Sequence, residues 1–127
     1  MLTSLVGSEM CIRDRLKRNG SRTWVYQFNR VRDDDLAKKY GAFHGAELPY
    51  VFDTHDEWLP TNKTDKVLTR EIQSYWLSFA KTGDPNNDGA VVWPEYESSN
   101  DSTLILDNEI YQRSHESSEI CKIMDLF

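Results

Sequence analysis

Residues 41–52 read Gly-Ala-Phe-His-Gly-Ala-Glu-Leu-Pro-Tyr-Val-Phe. One histidine, His44, lies between Gly41 and Gly45, and the acidic Glu47 follows three residues later. Glycine accepts backbone conformations that a Cβ atom forbids, so residues 41–47 are predicted to form a tight turn, here named the histidine loop. The glycines leave the imidazole free to contact a partner, and histidine is the side chain most often used as a general acid or base. The histidine loop is therefore a candidate for acid–base chemistry, anchored by the apolar residues 48–52.

The composition limits the kinds of protein and partner that fit this chain. The chain has 127 residues, of which 39% are hydrophobic, so one domain with a packed core is possible. Its net charge of −6 argues against nucleic acid and anionic membranes as partners, and no apolar run is long enough to span a bilayer. Cys11 and Cys121 are too few for a disulfide framework and lack a CxxC spacing. The cysteines therefore do not indicate a zinc site, and no cofactor is expected.

The segments outside the histidine loop predict two strands, a charged loop and a short helix. Trp24, Tyr26 and Phe28 alternate with other residues over 23–31, which predicts a strand with a buried aromatic face. Residues 32–39 are charged and are predicted to be a solvated loop. Further along, residues 103–106 predict a short strand, and the tail predicts a short helix near residues 119–126.

The clearest helix is predicted over residues 64–82. Its apolar side chains recur at spacings of four, four and three, which is the pattern of one buried helix face. Thr64 is the expected N-terminal cap, and Gly83 is placed to end the helix. The residues of the apolar face are Leu68, Ile72, Trp76 and Phe79.

A histidine on a loop after a strand fits the role of general base. A serine hydroxyl is a poor nucleophile until a base removes its proton, and histidine titrates near the working pH. In α/β-hydrolases the catalytic triad runs Ser, then Asp or Glu, then His along the chain. His44 would therefore be the last member, and the sequence contains no G-x-S-x-G motif to supply the nucleophile.

Several segments, in this order along the chain, resemble the type-B carboxylesterase family, which includes the cholinesterases. They are Val25–Phe28, Gly41–Phe52, Tyr75–Asn86, Trp93–Tyr96 and Leu104–Leu106. The resemblance implies an α/β class and a partial α/β-hydrolase fold, made of the C-terminal strands, the histidine loop and one long helix. It also implies hydrolysis of carboxylic esters by a serine enzyme.

The resemblance implies roles for four residues. His44 matches the catalytic base of the family, and Glu47 matches an acidic position in the hydrogen-bond network beside the site. Phe43 and Ala46 are expected to border the substrate pocket. Cholinesterases carry an aromatic residue at the position of Ala46, so the small side chain points to a general carboxylesterase. The serine, the catalytic acid and the oxyanion-hole glycines of the family have no counterpart in this sequence.

The first residues differ in character from the rest. Residues 5–14 resemble a translated sequencing adaptor, so residues 1–15 are predicted to be an artefact outside the fold. Residues 16–127 are then the C-terminal portion of a carboxylesterase domain. Its expected partners are a small-molecule ester and the missing N-terminal part of the same domain, without which the chain is expected to be inactive. The compartment stays open, a secreted or periplasmic location included, because a signal peptide would lie upstream.

Other interpretations compete with this one. Within the same fold, the chain could belong to a non-catalytic, cholinesterase-like adhesion protein. Residues 84–95 satisfy the calcium-loop pattern D-x-[DN]-x-[DN]-G-x5-E, although Pro94 and the residues after Glu95 do not predict the second helix that this motif requires. His44, Asp53, His55 and Asp56 are suitable metal ligands, but a solvated loop is the favoured interpretation of residues 53–56.

Overall fold

The computed structural model describes residues 12–56 and 60–114 and contains a small sheet flanked by helices. The elements in chain order are α1 (described over residues 12–18), β1 (Tyr26–Phe28), α2 (Asp35–Tyr40), α3 (Leu48–Phe52), α4 (Lys63–Thr82), β2 (Thr103–Leu106) and β3 (Ile110–Arg113). The short helix predicted near residues 119–126, Cys11 and Cys121 all lie outside the described residues.

The sheet has the order β1-β2-β3 within the described residues. β1 runs parallel to β2, with Tyr26 opposite Leu104, and β2 runs antiparallel to β3, with Leu106 opposite Ile110. Every residue of β2 is buried, which confirms the strand predicted there. β3 was not predicted, because its four residues carry only a weak alternating pattern.

The strand predicted over residues 23–31 is shorter in the structure. Only Tyr26–Phe28 is paired as strand, since β2 offers a short partner. The aromatic face is also less buried than expected: Trp24 and Phe28 are half-buried, and Tyr26 is 37% exposed. The loop predicted over residues 32–39 is likewise wrong in part, because residues 35–40 form α2.

Capping and charge explain why residues 35–40 form α2. The Asp34 carboxylate accepts a hydrogen bond from the Ala37 N–H and caps the first turn. Lys38 and Lys39 lie in the last turn, where positive charge favours the helix dipole. The helix ends at Gly41, whose φ of +66° is a conformation that glycine adopts without strain. The histidine loop thus begins where a capped helix stops.

The long helix is confirmed, with corrections at its start and on its face. α4 begins one residue earlier than predicted, and its cap is Asn62 rather than Thr64, in a reciprocal capping box with Asp65. Its end at Gly83 is as predicted. Phe79 is 50% exposed, and Tyr75 takes its place in the core, where its hydroxyl donates to the Val91 carbonyl at 2.6 Å.

The core joins α3 and α4 to β2. Trp93, which lies in no regular element, packs its ring edge-on to Tyr75 at 5.5 Å and donates its indole N–H to the Val25 carbonyl at 3.0 Å. The histidine loop is therefore held from its C-terminal side by a helix that packs into the core. The buried members of this cluster are Tyr50, Leu68, Ile72, Tyr75, Trp93, Leu104 and Leu106.

Residues 12–15 belong to the segment predicted to lie outside the fold, yet they are helical in the structure. Arg13 forms an ion pair with Asp101 at 2.7 Å and lies over the ring of Tyr96, and the Tyr96 hydroxyl donates to the Asp14 carboxylate. At these four residues the structure differs from the expectation, because their charged side chains find partners. An adaptor origin of the segment stays a prediction.

Candidate active site

His44 occupies the turn between α2 and α3. The turn is closed by two backbone hydrogen bonds, from Ala46 N–H to the Phe43 carbonyl at 3.0 Å and from Leu48 N–H to the Gly45 carbonyl at 3.1 Å. Gly45 has a φ of +86°, so this position requires the conformational freedom that the sequence indicated. The His44 side chain is exposed, as a base that must contact another group requires.

A groove of about 700 Å³ lies beside His44. Glu47, which is half-buried, lines the same groove, together with residues of β1 and with Thr103 and Arg113. The Glu47 carbonyl accepts hydrogen bonds from the N–H groups of Tyr50 and Val51 and so begins α3. The structure thus brings His44 and Glu47 to one groove, and the role of the Glu47 carboxylate in a hydrogen-bond network stays a prediction.

A second cavity, of about 340 Å³, lies on the other side of the histidine loop. Phe43 and Ala46, the two residues expected at a substrate pocket, both line it, and Phe43 also lines the groove beside His44. The α2 residues Leu36 and Tyr40 add apolar surface to a lining that also contains charged side chains. The groove beside His44 is likewise lined by both apolar and charged residues.

A buried ionic network lies under α3 and was not predicted from the sequence. The Asp65 carboxylate, 1% exposed, accepts hydrogen bonds from Arg30 Nε at 2.8 Å and from the Tyr50 hydroxyl at 2.7 Å. Burial by itself raises the pKa of Asp65, but the hydrogen bonds from Arg30, the Asn62 N–H and Tyr50 outweigh it and lower that pKa. Burial and the nearby Asp65 charge raise the pKa of the Tyr50 hydroxyl. The network therefore holds an ionised aspartate against a protonated tyrosine.

His55 contacts the same region from the loop that follows α3. Its Nε2 lies 2.7 Å from the Thr69 hydroxyl, which donates its single proton to the Asp65 carbonyl at 2.8 Å. The imidazole must therefore donate through Nε2, which leaves Nδ1 buried without a partner in the part of the chain that the structure describes. The ring also packs edge-on against Tyr50 at 5.0 Å.

The environment of His55 predicts a pH effect on stability. Burial lowers the pKa of His55, and the positive charge of Lys66 adds to this. The unfolded chain therefore binds the proton first, so the free energy of unfolding should fall as the pH drops below about 6.5. We expect the variant His55→Asn to show a smaller fall between pH 7 and pH 5 than the unchanged chain in urea unfolding. Equal slopes for the two proteins would contradict the assignment.

In the structure, several of the candidate metal ligands bind other protein side chains. Asp84 and Glu95, the two ends of the calcium-loop pattern, both accept hydrogen bonds from Arg22, at 2.8 and 3.0 Å, and Glu95 also pairs with Lys17. His55 binds Thr69 rather than a carboxylate. Among residues 12–56 and 60–114, no three histidine, cysteine, aspartate or glutamate side chains form a group that could hold a metal ion.

Within residues 12–56 and 60–114, no helix has both the length and the apolar character needed to cross a bilayer.

Comparison with known proteins identifies what the chain is similar to. The model of the carboxylesterase family matches residues 5–123. The para-nitrobenzyl esterase of Bacillus subtilis is 41% identical over 101 residues, which cover 76% of this chain and 20% of that protein. Acetylcholinesterase 1 of Caenorhabditis elegans is 35% identical over 89 residues, which cover 64% of this chain and 14% of that protein. The chain thus spans a fifth or less of the length of these two relatives.

A solved structure agrees with the sequence comparisons. The structure of a thermophilic pNB esterase superimposes with a TM-score of 0.69 at 37% identity, over 84% of this chain and 22% of that one. The predicted α/β-hydrolase fold, represented here by a part of it, is thereby confirmed.

Proposed function

Because the chain belongs to the carboxylesterase family, we propose that it supplies the general-base histidine of a serine-dependent carboxylic-ester hydrolase. The observation that carries the proposal is the placement of His44, exposed on a glycine-bounded turn at the edge of a groove. An imidazole in this position can reach a hydroxyl group presented from the other side of the groove. The remaining parts of the site would come from sequence not included in this chain.

In each half of the proposed reaction, His44 acts first as a base and then as an acid. The imidazole removes the proton from a serine hydroxyl as the oxygen attacks the ester carbonyl, and it then gives that proton to the departing alcohol. A water molecule then hydrolyses the acyl-enzyme. His44 takes a proton from this water as it attacks and gives the proton to the departing serine oxygen. Glu47 would contribute a hydrogen bond beside the site.

The substrate proposed is a small, largely apolar ester. Phe43 lines both surfaces that flank His44, and Ala46 leaves room in the cavity of about 340 Å³. Apolar side chains stabilise a bound ester mainly by removing its hydrocarbon surface from water.

The partner proposed is the N-terminal part of the same domain, seated in the groove beside His44. Two buried N–H groups at this groove, Trp24 Nε1 and Arg113 Nε, have no acceptor within the described residues. Buried donors are nearly always satisfied in a complete domain, so acceptors from a docked segment would complete them. The same segment would carry the serine.

Assembly with a relative's N-terminal part tests the proposal. The part of the Bacillus subtilis para-nitrobenzyl esterase that precedes the matched segment is tagged and co-expressed with the complete 127-residue chain. We expect the chain to co-purify with it and the complex to hydrolyse a nitrophenyl ester, while each part alone shows only background hydrolysis. A complex that assembles and is inactive would favour the non-catalytic, adhesion-type alternative, and failure to assemble would contradict the proposed partner.

A further inference from the structure

We propose that Asp65 is a positioning residue for His44, acting through Tyr50 and the turn that connects it to the histidine loop. The inference rests on the proposed function, since it concerns how the proposed base is held. Asp65 is neither in the groove beside His44 nor in the cavity behind it, so any effect on the reaction must pass through intervening structure.

Asp65 joins three separate parts of the chain at one carboxylate. Its Oδ1 accepts from Arg30, which follows β1, and from Tyr50 on α3, while its Oδ2 accepts from the Asn62 N–H at 2.9 Å. Arg30 is 5% exposed and Tyr50 is fully buried, so water does not compete for these contacts. A hydrogen bond to a charged group contributes more than one between neutral groups, especially in a buried site.

Backbone hydrogen bonds within successive turns connect the first turn of α3 with the turn that spans His44. Tyr50 N–H donates to the Glu47 carbonyl at 2.9 Å, Leu48 N–H to Gly45, and Ala46 N–H to Phe43. The turn that carries His44 is therefore continuous with the first turn of α3. Fixing α3 at its middle residue, Tyr50, limits how this whole unit can rotate.

α3 is also held through Val51, which packs against the core and whose carbonyl accepts a hydrogen bond from Gln73 Nε2 at 3.4 Å. Leu48 and Phe52 are exposed, and α3 has only five residues, so its own hydrogen bonds are too few to hold it in place. The Tyr50 ring packs on Phe28 and His55, at 5.0 Å in each case, which fixes its depth in the core. The hydroxyl bond to Asp65, at 2.7 Å and buried, is shorter and drier than the Gln73–Val51 bond, so it is the stronger directional contact on the ring and on the helix that carries it.

A matched pair of tyrosine variants tests the inference in the assembled complex. Tyr50→Phe removes the hydroxyl that binds Asp65, and Tyr75→Phe removes the hydroxyl of a second buried tyrosine of the same core, which donates to the Val91 carbonyl. We expect Tyr50→Phe to lower kcat by about tenfold with little change in KM, because a displaced base impairs the reaction more than binding. Tyr75→Phe should leave kcat within about twofold, even where thermal unfolding shows a similar loss of stability.

Asp65→Asn provides a second measurement. If both residues act through one contact, the double variant Tyr50→Phe/Asp65→Asn should be no slower than Asp65→Asn alone. Equal kcat values for Tyr50→Phe and Tyr75→Phe, or additive losses in the double variant, would overturn the positioning role. These outcomes require an active unchanged complex, whereas an inactive unchanged complex would overturn the proposed function itself and this inference with it.

Discussion

Replacing His44 by alanine should reduce kcat/KM of the assembled complex by about 10⁴-fold or more. Without the imidazole, the site loses the group that the proposed function assigns as acceptor of the serine proton, and a carboxylate or water is a weaker base in that role. Since the His44 side chain is exposed and makes no hydrogen bond with the described residues, its removal should not disturb the turn. The measurement is the steady-state hydrolysis of a nitrophenyl ester by complexes purified in parallel.

Two comparisons separate a lost base from a damaged fold. The exposed Lys81, in the last turn of α4, lies outside both cavities that flank His44, so Lys81→Ala should retain full activity. Added imidazole should restore part of the activity of His44→Ala, because a free base can occupy the space left by the side chain. Retention of activity in His44→Ala would refute the assignment of His44 as the base.

Elements with a long repeating pattern were predictable from the sequence. α4 combines an apolar face at helical spacing with Gly83 as its end, and the structure confirms the helix almost to the residue. The start was placed at the wrong cap because Asn62 and Thr64 are both good capping residues. The choice between them is made by Asp65, whose side chain returns to the Asn62 N–H.

Short elements were predicted less well, for a physical reason. β3 has four residues, and α2 has six with no buried side chain, so neither carries enough apolar periodicity to be recognised. β1 was overestimated because its aromatic alternation continues beyond the three residues that find a partner strand. Pairing with β2 decides where β1 ends, and that contact joins residues almost 80 positions apart.

How well the parts of the site were predicted also depended on how far apart their residues lie in the sequence. The histidine loop was found because its glycines and its histidine are neighbours in the sequence, and Gly41 and Gly45 do adopt positive φ. The network that supports it was missed, because Arg30 and Asp65 are 35 residues apart and each resembles an ordinary surface charge. An aspartate at the third position of a capped helix was the one available signal, and it indicates a cap rather than a buried ion pair.

Neutralising Asp65 by the variant Asp65→Asn should lower the free energy of unfolding by about 3–5 kcal/mol, because it leaves the charge of Arg30 buried without its partner. Asp33 offers little compensation, since its side chain is largely exposed and lies 3.4 Å from Arg30. The matched control is Asp84→Asn, which breaks an Asp–Arg pair of the same length, 2.8 Å, at an exposed site. That variant should lose far less stability, since water already screens Arg22 and Asp84. Urea unfolding of the complex measures both, and equal losses would show that the Arg30–Asp65 pair does not stabilise the domain through its burial.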